Sequence, residues 1–395
     1  MTHAASLGIL ASTAVHACGH GVAALWDAAA AGRTGLRAND LGWCELPCWV
    51  GAVPCVDDPA LARQLGAWDC RNHRLVWLAL QHGGFLQAVA QARARHGAHR
   101  IALILGTSTS GIASTEAAYA QRRAGQGWPA GFDYRRTHSV DALCRYSAEV
   151  LALQGPTATV STACSSSAKV FLLAQHWIAA GVVDAAVVGG ADSLCLSTLH
   201  GFDALQLLSR EVCRPFDADR KGISIGEAAG FMLLEASPAA VQLAGGGESS
   251  DAWHMSTPPP DGQGAQAAMR AALAQGGLGP ADIGWVNAHG TATPANDRSE
   301  AAALAAVFGP QGVPVSSTKG ITGHALGAAG IVEAIITAAA VERQTLPPSA
   351  NLLAPDLTLA LDLVSRARPA SLRHALSNNF GFGGSNCALV FSAGQ

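Results

Sequence analysis

Short apolar runs alternate along the chain with longer runs that mix apolar and polar positions, and this alternation predicts a layered α/β fold. Glycine, proline and hydroxyl residues separate the runs, so residues 37–60, 125–134 and 214–220 are predicted as loops. The predicted strands are Ser6–Val15, Arg100–Leu105, Ala158–Val160, Val182–Val188, Gly230–Glu235, Ile283–Asn287, Val313–Ser316 and Cys387–Phe391. The predicted helices are Gly21–Ala31, Leu75–Arg95, Val140–Leu153, Val170–Trp177, Gly264–Gln275, Ser299–Val307 and Gly327–Glu342.

A glycine- and serine-rich stretch, residues 236–250, is the predicted boundary between two parts of the chain. A length of 395 residues suggests two domains or two halves of one large fold. The expected division is residues 1–236 and residues 237–395, with alternating strands and helices on both sides. No literal sequence repeat is visible, so periodicity alone does not show a duplication.

Composition narrows the class of protein. The chain is 49% hydrophobic and 13% charged, which is typical of a globular protein with a large core. Its net charge of −3 gives no reason to expect a nucleic-acid partner. The most apolar stretch, 325–341, contains Glu333 and is predicted to be a core helix, so no membrane span is expected. Ten cysteines without a secretory signal favour a reducing compartment, and the expected location is the cytoplasm.

Cys164 lies between a predicted strand and a predicted helix, within the small-residue stretch 161–170. A thiol at the start of a helix is near free backbone N–H groups and the positive end of the helix dipole, so we expect easier loss of its proton. The same N–H groups could hold a carbonyl oxygen bound to the sulfur. The pattern alone leaves open a buried cysteine used as a small hydrophobic residue.

Two further polar groups follow predicted strands, where α/β proteins bind ligands. His289 is followed by Thr291 and Thr293. Lys319 and His324 lie on a glycine-rich connection into a helix that carries Glu333. A buried lysine needs a partner, so a Lys319–Glu333 pair would suggest function or a stabilising network. A structural histidine and an exposed lysine are the alternatives.

The stretch 378–386, before the last predicted strand, contains three glycines, and asparagines lie on both sides of Phe380 and Phe382. Glycines at this density permit positive φ and close backbone approach, and Phe382 could line or gate a pocket.

Two other motifs are weaker signals. Ser224 lies in a G-x-S-x-G pattern, but a nucleophile elbow needs a strand before the serine and a helix after it. Here a loop precedes and a strand follows. Cys44, Cys48, Cys55 and Cys70 lack the paired spacing of a zinc site, and apolar residues and prolines surround them.

Taken together, the motifs around Cys164, His289 and His324 resemble those of the β-ketoacyl-ACP synthases, especially the elongating group with a Cys-His-His triad. Residues 214–220, 249–262 and 378–386 are also similar to family motifs. The similarity covers almost the whole chain and is densest after about residue 100. It implies a thiolase fold: two similar α/β halves in a five-layered α-β-α-β-α arrangement, in an obligate dimer.

The resemblance also implies a reaction and roles for residues. Cys164 would carry an acyl group from acyl carrier protein (ACP), and malonyl-ACP would then lose carbon dioxide and attack the thioester. His289 and His324 would stabilise the enolate from Nε2, and Lys319 with Glu333 would organise the site. The N–H groups of Cys164 and Phe382 match the oxyanion hole. The expected substrate-binding residues are Thr291 and Thr293 on the pantetheine arm, with Thr109, Phe202, Phe380 and Phe382. No metal or other cofactor is expected.

Departures from the common fatty-acid enzymes suggest a specialised synthase. The turn 106–111 lacks a bulky aliphatic residue, and Lys169 and the cysteine-rich segment near Cys48 are unusual. We expect an aryl-polyene or type II polyketide pathway, with a roomier or more polar acyl pocket. The partner would be a second copy or a chain-length-factor-like homologue, and Arg63, Arg71 and Arg74 are candidate carrier-protein contacts. A non-catalytic partner subunit, a serine hydrolase using Ser224 and a thiolase or initiating synthase are the alternatives.

Overall fold

The computed structural model describes residues 6–394, so residues 1–5 and 395 of the two expected halves lie outside it. The strands are β1 (Leu7–His16), β2 (Gly19–His20), β3 (Arg37–Ala38), β4 (Trp49–Gly51), β5 (Ile101–Gly106), β6 (Thr157–Val160), β7 (Ala185–Asp192), β8 (Ile225–Gly226), β9 (Ala228–Glu235), β10 (Val241–Ser250), β11 (Trp285–Asn287), β12 (Pro314–Ser316), β13 (Thr345–Leu346), β14 (Asp362–Leu363), β15 (Arg368–Pro369), β16 (His374–Gly381) and β17 (Ser385–Ala393).

The α-helices are α1 (Gly21–Ala31), α2 (Pro59–Leu65), α3 (Arg71–Leu80), α4 (Phe85–His96), α5 (Ile112–Arg123), α6 (Tyr134–Thr137), α7 (Ala142–Leu151), α8 (Ser166–Ala179), α9 (Leu196–Ala204), α10 (Gln263–Gly276), α11 (Pro294–Phe308), α12 (Lys319–Thr322) and α13 (Ala329–Arg343). Short 3₁₀ helices lie at Gly66–Trp68, Ala98–Arg100, Pro280–Asp282, Leu326–Ala328, Leu357–Leu359 and Phe382–Gly384.

The main sheet contains the same five-stranded pattern twice. In the first half the order is β6-β5-β7-β9-β1, and in the second it is β12-β11-β16-β17-β10. If the strands of each half are numbered along the chain, both orders are 3-2-4-5-1. Strand directions also match: the pairs 3-2 and 2-4 are parallel, and 4-5 and 5-1 are antiparallel. The halves are therefore similar, as expected, although no repeat is visible in the sequence.

Five layers follow from where the helices pack. Helices α8 and α13 contact each other and strands of both halves, so they form the middle layer. Helices α3, α4 and α7 cover the outer face of the first half, and α10 covers that of the second, with α11 against it. The residues of strand β5 are apolar throughout because both faces of the strand are buried. Ala102 and Ile104 enter the central core, whereas Ile101, Leu103 and Leu105 enter the outer one.

Most of the predicted boundary segment 236–250 is β10, a strand inside the sheet that was not predicted. Its glycines accommodate helix α10 rather than supplying flexibility. A Cβ at Gly245 would lie 2.4 Å from the carbonyl oxygen of Ala272, and one at Gly247 would lie 2.2 Å from that of Ala268. The division at residues 236 and 237 stays a prediction.

Three other local predictions need correction. The helix predicted at Leu75–Arg95 belongs to two helices, α3 and α4, since Gly83 and Gly84 between them have φ of 66° and 67°. The predicted loop 37–60 contains β3 and β4, which form a small sheet with β8. Asn378–Gly381 was assigned to a loop but is the end of β16. Helix α5 was not predicted.

Within residues 6–394, none of the helices combines the length and the apolar character needed to cross a bilayer.

Candidate active site

Cys164 lies at the sharp connection between β6 and α8, as predicted. The residue before it, Ala163, has φ of 51°, a left-handed conformation that a small side chain tolerates best. The serine-rich sequence satisfies the backbone of this turn. Ser166 Oγ donates to the carbonyl oxygen of Ala163 (2.6 Å) and accepts from the Thr162 N–H (2.9 Å). The turn therefore presents the Cys164 side chain to one end of the sheet.

The thiol of Cys164 is buried, and this changes its acidity. Burial raises the pKa of the thiol from 9.0 to about 11 because a thiolate loses hydration there. The Lys319 charge and the Phe382 N–H lower this pKa but do not compensate for burial. Burial thus opposes the easier deprotonation that was expected at the helix start, and desolvation outweighs the Lys319 charge and the Phe382 N–H.

His324 faces the sulfur. Its Nε2 lies 3.0 Å from Sγ of Cys164, and its Nδ1 accepts a hydrogen bond from the N–H of Leu326 (3.2 Å). Since Nδ1 is an acceptor, we assign the ring proton to Nε2, which points towards the sulfur. Burial and the Lys319 charge hold the pKa of His324 well below 6.5, so the ring is neutral.

His289 lies next to His324, and its ring proton is also assigned to Nε2. Nζ of Lys319 lies 3.2 Å from Nδ1 of His289 and donates to its carbonyl oxygen (2.6 Å). An ammonium has no acceptor, so Nδ1 accepts and Nε2 carries the proton. Burial, with Lys319 and His324 nearby, holds the pKa of His289 well below 6.5. The two imidazole rings are 5.3 Å apart and nearly perpendicular.

The predicted Lys319–Glu333 pair forms in the centre of the molecule, where both side chains are buried. Glu333 also accepts from Nδ2 of Asn379 (2.5 Å). Burial raises the pKa of Glu333, and the adjacent ammonium opposes that rise. The carboxylate thus holds Lys319 against His289.

Among the residues described, Cys164, His289 and His324 form a group whose possible ligand atoms lie within 4.8 Å of one another. A metal would need the lone pair of each Nε2 and therefore a proton on each Nδ1. Those Nδ1 atoms instead face N–H donors, from Lys319 and from Leu326. The donor set fits an oxygen with negative charge better than it fits a cation.

A backbone donor faces the same space, with the backbone nitrogen of Cys164 close by. The N–H of Phe382 points to the sulfur of Cys164, and the backbone of Gly381 packs closely against that of Cys164. A Cβ at Gly381 would lie 2.8 Å from the carbonyl oxygen of Thr162. The glycine therefore permits the approach that places the Phe382 and Cys164 N–H groups together.

A cavity of about 150 Å³ opens onto this group. Its lining includes most of the predicted site: Cys164, His289, His324, Thr291, Thr293, Phe202, Phe380 and Phe382. The rings of Phe202 and Phe382 are 5.4 Å apart, so together they form one wall. Thr109 is not brought to the cavity, because its hydroxyl donates to Asp192 (2.9 Å).

Sequence reasoning missed three buried acidic or amide side chains that hold the site. Glu300 accepts from the N–H groups of His289 (2.8 Å) and Gly290 (2.7 Å), and burial raises its pKa to about 7. Asn379 lies in the stretch 378–386, but no role was predicted for it from the sequence. Asp192 closes a strand in a small-residue turn. A polar residue within an apolar run is the only sequence signal for Glu300.

The G-x-S-x-G segment has a different use from the one its pattern suggests. Ser224 is fully buried, and its hydroxyl accepts from the N–H of Cys213 (3.1 Å). Its carbonyl oxygen accepts from the N–H of His324 (2.8 Å), while Gly226 donates to the His324 carbonyl oxygen (3.0 Å). The segment therefore holds His324 in place.

The remaining candidate residues are placed apart from the site. Cys44 and Cys48 are buried in an apolar cluster with Val50, and Cys55 is exposed. Arg71 is unsuited to a carrier protein, because its side chain is 9% exposed and pairs with Glu227. Arg74 pairs with Asp69, and Arg63 is exposed; their contact with a carrier protein stays a prediction.

Comparison with known proteins identifies the class. Residues 63–240 match the family model of the β-ketoacyl synthase N-terminal domain, and residues 240–353 match that of the C-terminal domain. The chain belongs to the β-ketoacyl synthase family, in the thiolase superfamily.

Three similar proteins illustrate the range of relatives. The 3-oxoacyl-[acyl-carrier-protein] synthase 2 of Vibrio cholerae is 41% identical over 259 residues, 60% of this chain and 63% of its own length. Nodulation protein E of Rhizobium meliloti is 36% identical over 304 residues, 74% of this chain and 75% of its own. A chain from the complex of a ketosynthase (ApeO) with its chain length factor (ApeC) from Xenorhabdus doucetiae has a TM-score of 0.90 and 38% identity. That match covers 100% of this chain and 99% of the other.

Proposed function

We propose that this protein catalyses a decarboxylative Claisen condensation between an acyl group on Cys164 and malonyl-ACP. The observation that carries the proposal is the arrangement of His289 and His324, two neutral imidazoles whose Nε2–H groups converge beside one thiol. Such a pair stabilises an oxygen that gains negative charge and does not need to change protonation state.

In the first stage, the sulfur of Cys164 attacks the thioester carbonyl of acyl-ACP. The carbonyl oxygen becomes an oxyanion, which the N–H groups of Cys164 and Phe382 stabilise. The bond to the pantetheine sulfur then breaks, and the proton of the thiol ends on that leaving sulfur. Because the pKa of Cys164 is raised to about 11, the proton leaves during the reaction rather than before substrate binds.

In the second stage, the bond from the malonyl α-carbon to its carboxylate breaks and carbon dioxide leaves. The electron pair moves into the thioester, so negative charge appears on its oxygen, where His289 and His324 donate. The α-carbon then attacks the acyl carbon on Cys164, and the Cys164 sulfur leaves as a thiolate, which takes up a proton from solvent to restore the thiol. The product is β-ketoacyl-ACP, with Thr291 and Thr293 at the cavity wall available to the pantetheine arm.

We also propose that the enzyme serves a specialised pathway, of the aryl-polyene or type II polyketide kind, with a chain-length-factor-like partner. The small residues of the turn 106–111 support this, as does full-length similarity to a ketosynthase complex with a chain length factor. The chain retains Cys164, His289 and His324 and is therefore the active member. All ten cysteines are free thiols, which supports a cytoplasmic location.

The reaction is tested by incubating the protein, with its partner subunit, with a panel of acyl-ACPs and measuring intact mass. A single acyl adduct on Cys164 is expected, and it should disappear in Cys164→Ala. Cys55→Ala is the matched control, because Cys55 is exposed and outside the cavity. An adduct that survives Cys164→Ala but not Ser224→Ala would support the hydrolase alternative. Condensation that survives Cys164→Ala would support a non-catalytic subunit.

The pathway is tested with the same adduct assay and a matched pair of primers. Unsaturated or aryl acyl-ACPs should acylate Cys164 and be elongated after malonyl-ACP is added. Saturated acyl-ACPs of equal length provide the control. Elongation of the saturated chains alone would contradict the specialised pathway but leave the condensation chemistry intact.

A further inference from the structure

Asp192, at the end of β7, is fully buried but forms no ion pair within the described residues. Its carboxylate is instead surrounded by neutral donors. These are the hydroxyl of Thr107 (2.7 Å), the N–H and hydroxyl of Ser108 (2.8 Å for the N–H), the N–H and hydroxyl of Thr109 (both 2.9 Å) and the N–H of Gly327 (2.6 Å). A buried charge without a cation is expensive, so this donor set must be maintained by the fold.

The donors come from two places that are distant in sequence. Thr107, Ser108 and Thr109 belong to the turn after β5, whereas Gly327 lies three residues after His324. There is no room for a side chain at Gly327. A Cβ at Gly327 would lie 2.7 Å from Oδ2 of Asp192 and 2.8 Å from the Ser108 nitrogen. The short bond from Gly327 to Asp192 therefore depends on glycine.

Leu326, which directly precedes Gly327, connects the bond between Gly327 and Asp192 to His324. Leu326 has φ of 50°, a left-handed conformation that is strained for a residue other than glycine. In that conformation its N–H points to Nδ1 of His324. The bond from Gly327 to Asp192 fixes the next peptide and so keeps Leu326 in its strained conformation. The Leu326 N–H, in turn, selects the His324 tautomer that carries its proton on Nε2.

We propose that Asp192 is a positioning residue that sets the tautomer and direction of His324 through Gly327 and Leu326. The inference rests on the proposed condensation, in which His324 donates from Nε2 during decarboxylation. The charge of Asp192 opposes thiolate formation at Cys164, so the carboxylate does not serve the nucleophile directly. The carboxylate acts instead on His324, by fixing its tautomer and direction.

The first test compares the two half-reactions in Asp192→Asn. An amide keeps the shape but turns one acceptor into a donor, which would face the Gly327 or Ser108 N–H. Malonyl-ACP decarboxylation should fall about 10- to 100-fold more than acylation of Cys164. Asp217→Asn is the matched control, since Asp217 is also buried and accepts backbone N–H groups, from Leu353 and Ala354 (2.7 and 2.8 Å). It should lower stability without changing the ratio of the half-reactions.

A rescue experiment separates positioning from general support of the fold. Asp192→Asn is combined with Leu326→Gly or with Leu326→Ala. Both combinations remove the same packing, but only glycine adopts positive φ without strain. The glycine combination should decarboxylate about fivefold faster than the alanine combination, which corresponds to about 1 kcal/mol of relieved strain. Equal rates would overturn the proposal.

Two further measurements cover the case in which Asp192→Asn does not fold. Gly327→Ala breaks the same hydrogen bond from its other end, and it should also lose decarboxylation more than acylation. Nitrogen-15 spectra of histidine-labelled wild-type protein should show His324 as the Nε2–H tautomer. A proton on Nδ1 in wild type, or equal loss of both half-reactions in Gly327→Ala, would overturn the proposal. If the wild type never decarboxylates malonyl-ACP, the proposed function fails, while the tautomer still decides the inference.

Discussion

Nζ of Lys319 lies 3.2 Å from Nδ1 of His289, in a position that no solvent reaches. The ammonium is paired with Glu333, and the same nitrogen donates to the His289 carbonyl oxygen. A buried lysine without a cavity role would be costly, so this geometry is best understood as control of the imidazole. It keeps the proton of His289 on Nε2, facing the cavity.

Removing Lys319 alone should destabilise the protein strongly. Lys319→Met leaves Glu333 as an unpaired buried charge, and we expect a loss of about 3–5 kcal/mol in the free energy of unfolding. The double variant Lys319→Met/Glu333→Gln should recover most of that loss. Decarboxylation should stay low in the double variant, because nothing then donates to Nδ1 of His289. Urea unfolding and carbon dioxide release measure the two effects. Recovery of decarboxylation together with stability would contradict the assigned role.

The two histidines should affect one half-reaction much more than the other. His289→Ala and His324→Ala are each expected to lower malonyl-ACP decarboxylation by about 10²- to 10³-fold, as for loss of a donor to an oxyanion. Acylation of Cys164 should persist, since it relies on the N–H groups of Cys164 and Phe382. Intact mass and carbon dioxide release are measured on the same samples. Equal loss of both half-reactions would show that the division of roles is wrong.

The acidity of Cys164 gives a pH prediction. The pKa of the thiol is raised to about 11, so the thiolate fraction is small at neutral pH and grows as pH rises. Alkylation of Cys164 by iodoacetamide should therefore increase about tenfold per pH unit between about pH 7 and 10. Glutathione, a free thiol, should level off near about pH 9 in the same series. A plateau for Cys164 at or below that of glutathione would contradict the prediction.

Glu300 should make stability depend on pH. Its pKa is raised by burial from 4.5 to about 7, so the folded state keeps a proton that the unfolded state releases. This contribution is present below about pH 4.5 and is lost as pH rises through 7, with a total of about 3 kcal/mol. The free energy of unfolding should fall less between pH 5 and 8 in Glu300→Gln than in wild type. Equal slopes would indicate that Glu300 has an ordinary pKa.

Much of the fold was predictable from the sequence because local patterns carry the information. Apolar runs marked the central strands, and the helix after Cys164 was visible from its composition. The errors have physical causes. Strand β10 was not predicted, because its glycines suggested only a boundary between the halves; in the structure, Gly245 and Gly247 allow α10 to approach the strand closely. Gly83 and Gly84 divide a helix whose side chains alone look continuous.

The sequence by itself determined which residues are candidates for the chemistry, since Cys164, His289, Lys319 and His324 stand in motifs that resemble one family. Only the tertiary structure decided how they work. The acidity of Cys164 depends on burial, and the proton position on each histidine depends on donors from other segments, Lys319 and Leu326. Such effects act through space between residues far apart in the chain, for example between Asp192 and Gly327. A linear pattern therefore identifies the groups, whereas their charge, tautomer and direction follow from packing.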